Sequence, residues 1–219
     1  MPQPNEQLRG SYLGVRDTPY TVILERLKSE TAAAHASIEQ RLRIARATPS
    51  ISDYRDYLLA MYGFTTPIEQ RLRALSDGLG SELELDRRCK SELIARDLRA
   101  LSERLDVQPA SPELCSALPE NRDATQALGT LYVLEGSTLG ARWLMRHLQP
   151  LGLDDCCAYL QSYGDALGAM WEKMRRALVQ HAEQHPERVP DLIEAARDTF
   201  HKLDAWFVRC RAAELSPST

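Results

Sequence analysis

The stretch Leu24–Leu42, LERLKSETAAAHASIEQRL, decides how the rest of this 219-residue chain is read. Leu24, Leu27, Thr31, Ala34, His35, Ile38 and Leu42 recur at steps of three and four, the spacing that brings side chains to one face of an α-helix. Just upstream, Thr18 can cap with its hydroxyl, and Pro19, which needs no amide partner, suits the first helical position. Pro49 closes the segment. One member of the stripe is out of character: His35 is an ionisable ring on a face expected to be buried.

The same period continues outward from this helix. Ser52 and Asp53 open a second segment whose core face reads Tyr57, Met61, Phe64, Ile68, Leu72 and Leu75. Gly63 and Pro67 predict a bend in it, and Gly78 and Gly80 end it. A third, around Glu92 to Leu105, carries Ile94, Leu98, Leu101 and Leu105, before Pro109, Pro112 and Pro119 mark a loop-rich connection. A fourth runs from about Arg122 to His147. Two more, about Asp155 to Gln184 and Pro190 to Ala213, are separated by the turn from Pro186 to Pro190. No β-branched alternation is long enough to support a sheet, and there is no internal repeat or low-complexity tract. The expected fold is all-α: a single-domain multi-helix bundle over 18–214, with 1–17 a flexible N-terminal arm and 215–219 a C-terminal tail.

Composition narrows the function. With 43% hydrophobic and 26% charged residues, the chain can bury a substantial core and keep a polar surface. A net charge of -4 with both signs mixed offers no basic face for a run of phosphates, so nucleic acid is a poor partner. The first sixteen residues, with Pro2, Pro4, Gly10 and Gly14, lack the apolar centre of a signal peptide. No apolar run reaches the ~20 residues that span a bilayer. A cytoplasmic location is expected. The cysteines, Cys89, Cys115, Cys156, Cys157 and Cys210, are odd in number, lack a CxxC and include a vicinal pair; reduced thiols are the simplest reading.

Two places could carry chemistry. His35 is either a core histidine hydrogen-bonded nearby or the kind of neutral imidazole that binds a heme iron from one side. Lys28, two turns before it, could reach a propionate, and Glu39, one turn after, could orient the ring through its other nitrogen, although surface pairing would serve both charges as well. The fourth helix holds Gly129, Gly136 and Gly140, each costing ~1 kcal/mol relative to alanine in a helix interior. Gly136 and Gly140 share one face. They allow backbone to approach a flat ligand, or a bend, or close packing on another helix.

The segment from Leu27 to Glu39, with Lys28, Thr31, His35 and Glu39 in the order LKxxTxxxHxxxE, resembles the proximal helix of heme oxygenases. Leu131-Tyr132-Val133-Leu134-Glu135-Gly136-Ser137-Thr138-Leu139-Gly140-Ala141 resembles the distal helix of bacterial members, particularly those that supply biliverdin to phytochromes. The resemblance in element order covers roughly Thr18 to Ala213. It implies a heme sandwiched between a proximal and a distal helix, with His35 as the iron ligand and Lys28 as a propionate contact. Gly136, Ser137 and Gly140 would lie on the distal, catalytic side, and Glu39, Lys173 and Arg176 would help to hold the cofactor. It further implies oxidative cleavage of heme, at once substrate and cofactor, to biliverdin, carbon monoxide and ferrous iron. The implied reaction uses O2, with electrons from ferredoxin or an NAD(P)H-dependent reductase, and a bacteriophytochrome is its candidate receiver of biliverdin. Many members carry paired glycines where this chain has Gly140-Ala141, and mammalian members an aspartate where Ser137 falls. The alternative within the same fold is a heme-binding protein that does not degrade its ligand. A di-iron carboxylate bundle needs a Glu-x-x-His on each of two helices, and only Asp198-Thr199-Phe200-His201 comes near that form.

Overall fold

The computed structural model describes residues 19–109 and 111–214. Thr18, the arm of 1–17 and the tail of 215–219 lie outside the described residues. The elements are α1 (Pro19–Arg41), α2 (Ile51–Arg73), α3 (Ser76–Leu79), α4 (Leu85–Arg88), α5 (Ser91–Leu105), α6 (Ala124–Leu148), α7 (Ala158–Gln161), α8 (Leu167–Gln184) and α9 (Val189–Glu214), with short 3-10 turns between them. No strand occurs among the described residues, and no helix there is long and apolar enough to cross a membrane. One core joins Leu27 and Ile38 of α1, Phe64 and Ile68 of α2, Leu131 of α6 and Leu192 and Trp206 of α9.

Local chemistry sets the ends of these helices. α2 starts at Ile51, one to two residues earlier than Ser52 and Asp53 imply as an opening. Ser50 is the cap, its Oγ accepting from Asp53 N at 3.0 Å while Asp53 Oδ2 accepts from Ser50 N at 2.9 Å. The bend expected at Gly63 and Pro67 does not interrupt the helix. Pro67 has no N–H to give the Gly63 carbonyl, and the Cys115 N–H takes that place at 2.9 Å, tying the proline-rich connection to α2. Gly63 also permits the approach of that connection, since a Cβ there would collide with Glu113 O and lie 2.8 Å from Trp206 Cζ2. Trp206 in turn donates to Ala60 O at 2.8 Å, fastening α9 to α2.

The single helix expected from about Asp155 to Gln184 is broken. Asp97, fully buried on α5, accepts from Ala158 N and Tyr159 N at 2.8 Å each and so starts the one-turn α7. Ser162 and Gly164 then take positive φ, 39° and 53°, which a right-handed helix cannot contain. α8 begins only at Leu167.

α9 is the common support of α1 and α6. Arg41 Nε lies 2.6 Å from Asp204 Oδ1, and Ser37 Oγ reaches Asp204 Oδ2 at 3.5 Å, fixing the end of α1 on α9. On α6, a Cβ at Gly129 would run into Leu192 O and lie 2.9 Å from Ala195 Cβ and 3.0 Å from Ala196 N. Gly129 is therefore a helix-packing glycine.

Two outcomes follow from these contacts. Gly129→Ala should lower Tm, because overpacking typically costs ~1–3 kcal/mol and exceeds the ~1 kcal/mol gained in helix propensity. An unchanged Tm would mean that α9 yields to the methyl group. Burial pushes the Asp97 carboxyl up to about 6, against the pull of its two backbone donors. Between its unfolded value of ~4 and 6, the folded chain holds a proton that the unfolded chain releases, so raising the pH through that window lowers stability. Urea midpoints measured at pH 4.5 and 6.5 should show this decrement in the wild type and its loss in Asp97→Asn.

Candidate functional site

His35 and Gly136 each lie one turn beyond a tie between α1 and α6. There the Tyr132 side chain neighbours that of Thr31, and its ring lies 6.2 Å from that of Trp171 on α8. Past this tie the helices have little to do with each other, since α1 packs mainly on α9 and α8 and α6 mainly on α9. His35 is consequently not in the core, as the stripe led one to expect. Its side chain is 50% exposed, although Thr31 and Ile38 on either side are buried. Its ring meets Phe200 of α9 edge-on, with centroids 5.8 Å apart, and Nδ1 lies 3.5 Å from Glu39 Oε2. The arrangement leaves Nε2 as the nitrogen not turned to a carboxylate.

The glycines of α6 divide into two kinds. Gly129 is packed, whereas a Cβ at Gly136 or Gly140 would meet nothing within 4 Å. The packing account of the small-residue pattern therefore holds for Gly129 and fails for the other two, which leave bare backbone beside open space. Ser137, exposed between them, donates to Leu134 O at 2.7 Å, and its side chain neighbours that of Tyr159, whose ring lies 6.3 Å from that of Tyr57. Burial pushes both tyrosines above their ordinary range, so both remain protonated phenols at neutral pH. Ala141 is buried, and the methyl group is part of the helix's core-facing side.

Behind the glycine face sits a buried charged network. Glu135, 2% exposed, forms an ion pair with Arg88 through Oε2 and accepts from Tyr163 OH at 2.7 Å through Oε1. Arg88 spends its other donors on Leu83 O at 2.6 Å and Met170 O at 3.0 Å. Lys90 Nζ stands 3.9 Å from Glu135 Oε1 and 3.7 Å over the Tyr163 ring; burial pulls its ammonium down to about 8. Glu69 accepts from Lys90 N at 2.5 Å and from Ser91 Oγ at 2.6 Å at the start of α5.

The remaining expected contacts are dispersed along the exposed edge. Lys28 is exposed on α1. Lys173 on α8 forms an ion pair with Glu84, and the exposed Arg176 Nε lies 3.2 Å from Glu172 Oε1. The structure thus brings Gly136, Ser137 and Gly140 together on α6 and His35 with Glu39 on α1, while Lys173 and Arg176 are held by carboxylates of their own surroundings.

A family model described as heme oxygenase matches residues 21–209. The chain belongs to the heme oxygenase family. Among solved structures it is similar to the heme oxygenase of Neisseria meningitidis in its NO- and CO-bound crystal structures. The identity is 22% and the TM-score 0.68, covering 90% of this chain and 94% of that one, a likeness of fold. No curated protein matches the chain. As a heme oxygenase, the chain is an oxidoreductase that degrades heme. Its residues fit that ligand: a half-exposed imidazole lies on one helix and a side-chain-free face opens on another.

Several residues around this candidate site escaped the sequence reading. Phe200, Tyr132, Trp171, Tyr159 and Tyr57 read as ordinary apolar positions. Arg88 and Lys90 sit in the charged run from Asp86 to Lys90, which looks like surface. A usable clue existed for Glu135, a carboxylate flanked by Leu134 and Gly136 in an otherwise apolar stretch. For the glycines, open space predicts that Gly136→Ala and Gly140→Ala each raise the stability of the heme-free protein by ~1 kcal/mol, the helix-propensity gain, or about 2–4 °C in Tm. Calorimetry beside Gly129→Ala checks this, and a loss in all three variants would put Gly136 and Gly140 in packed contacts.

Proposed function

We propose that heme is held between α1 and α6, with His35 as the protein ligand of its iron and the Gly136–Gly140 backbone against its other face. The observation that carries this reading is the contrast between the packed Gly129 and the open Gly136 and Gly140. Bound heme supplies an iron that, given electrons and O2, turns oxygen on the porphyrin itself. The chain's contribution is placement. Glu39, near Nδ1, orients the His35 ring and leaves Nε2 for the metal. Gly136 and Gly140 leave room on the distal side for a diatomic molecule. The exposed Ser137 hydroxyl, between the two glycines, can relay a proton there. Lys28 would hold a propionate, and Lys173 and Arg176 would do so in exchange for the carboxylates of Glu84 and Glu172, which together would orient the macrocycle.

Electrons come from ferredoxin or an NAD(P)H-dependent reductase in the cytoplasm. The likeness of 131–141 to the phytochrome-associated type supports a bacteriophytochrome as receiver of the biliverdin.

His35→Ala should lose the imidazole-ligated heme spectrum and most turnover, and added imidazole should restore the spectrum in part. A variant that keeps the wild-type ligation spectrum without imidazole would remove His35 from the iron. Lys28→Ala and Arg176→Ala should leave folding intact and broaden the ratio of biliverdin isomers, because each removes a charge-assisted contact worth ~1.5–3 kcal/mol. Product chromatography that shows one unchanged isomer in both variants would contradict the propionate assignment.

A further inference from the structure

From Leu134 to Ala141, the only side chains of α6 that are buried belong to Glu135, Thr138 and Ala141. Apart from Leu134, which is only partly buried against the core, a threonine and an alanine bury little apolar area, so hydrophobic packing holds this span weakly. The helix is also locally loosened. Two glycines lower its propensity, and Ser137 and Thr138 both turn their hydroxyls back onto carbonyls three residues earlier, Leu134 O at 2.7 Å and Glu135 O at 2.6 Å. Behind Thr138, Arg142 and Met145, moreover, lies a cavity of about 390 Å³ that gives no support.

Against this weak background stands one strong attachment. Glu135 projects well away from the glycine face, about 100° from Gly136 and 140° from Gly140 on a helix of 3.6 residues per turn. Both of its oxygens are engaged: Oε2 by Arg88, Oε1 by Tyr163 at 2.7 Å with Lys90 Nζ at 3.9 Å. Arg88 passes the attachment on to backbone, at Leu83 O and at Met170 O of α8. The carboxylate is thus clamped to two other elements at the residue before Gly136. Glu69, the other buried carboxylate of this region, is committed to the start of α5 and leaves Arg88 to Glu135.

We propose that Glu135, held by Arg88 and Tyr163, is a positioning residue for heme cleavage: it fixes the height and tilt of the Gly136–Gly140 backbone over the heme and thereby the carbon at which the ring is opened. The inference rests on the placement of heme between α1 and α6. Glu135 touches neither heme nor oxygen in this account and acts only through the helix. A buried ion pair contributes little net stability compared with an apolar replacement, but it admits one geometry, and one geometry is what the distal backbone needs.

The decisive variant is Tyr163→Phe, which removes one hydrogen bond to Oε1 and keeps the ring. Hydrogen exchange on the heme-free, full-length chain should show amides of 134–141 opening at least about tenfold faster, with the amides of α2 and α9 at wild-type rates. Loaded with hemin and given a reductant, the same variant should yield a mixture of biliverdin isomers where the wild type gives a narrower set. Glu135→Gln should exaggerate both effects if it folds, and Tyr163→Phe decides the matter if it does not. Wild-type exchange across 134–141 in folded Tyr163→Phe would overturn the proposal. So would a rise spread equally over α2 and α9, or faster exchange with an unchanged isomer ratio. The exchange measurement needs no heme, whereas failure of the wild type to bind hemin would defeat the placement of heme itself.

Discussion

A helix that presents bare backbone on one face has to be held entirely from its other faces. That constraint governs α6 and, through it, most of this molecule. Near its start, Gly129 lets α9 come close enough that a methyl group would not fit. Toward its end, Leu144 and Leu148 are buried in the common core. Between them the helix gives up packing on the glycine face and relies on Glu135, whose partners Arg88 and Tyr163 come from segments before α5 and before α8. Two glycines each lower helix stability by ~1 kcal/mol, a cost that a marginally stable fold retains where the open face has a use.

The opposing side of the site obeys the same logic with different means. α1 is fastened to α9 at its C-terminal end by Ser37 and Arg41, two and six residues beyond His35, through Asp204. The imidazole therefore stands on a well-anchored helix yet remains half exposed, with Phe200 at its edge and Glu39 at Nδ1. Because α1 and α6 share α9 as support, their separation at His35 and Gly136 is set largely by that helix. Family membership says that this chain degrades heme; where the proposed placement of heme holds, this frame is what orients it.

The fold class was legible in the sequence because a 3.6-residue period leaves its mark in every long helix, and ends such as Leu105 fell where the period stopped. What failed was whatever depends on distance in space. The leucines and methionines from Leu160 to Met174 continue the helical period across Ser162 and Gly164, so the break between α7 and α8 left no trace in the pattern; its cause is Asp97, some sixty residues upstream. His35 lay on the right stripe, but a stripe does not say where the neighbouring helix ends, and the ring is half exposed. Gly129, Gly136 and Gly140 look alike as letters, and only the position of α9 separates the packed one from the open two. Glu135 and Arg88 stand 47 residues apart, and neither advertises the other.

The most direct test of this account is a crystal structure of the wild-type protein loaded with hemin. The account predicts His35 Nε2 as the only protein ligand of the iron, the porphyrin lying against the backbone of Gly136 and Gly140, and Glu135 still paired with Arg88 behind them. Heme bound away from α6, or iron carried by any other side chain, would contradict it.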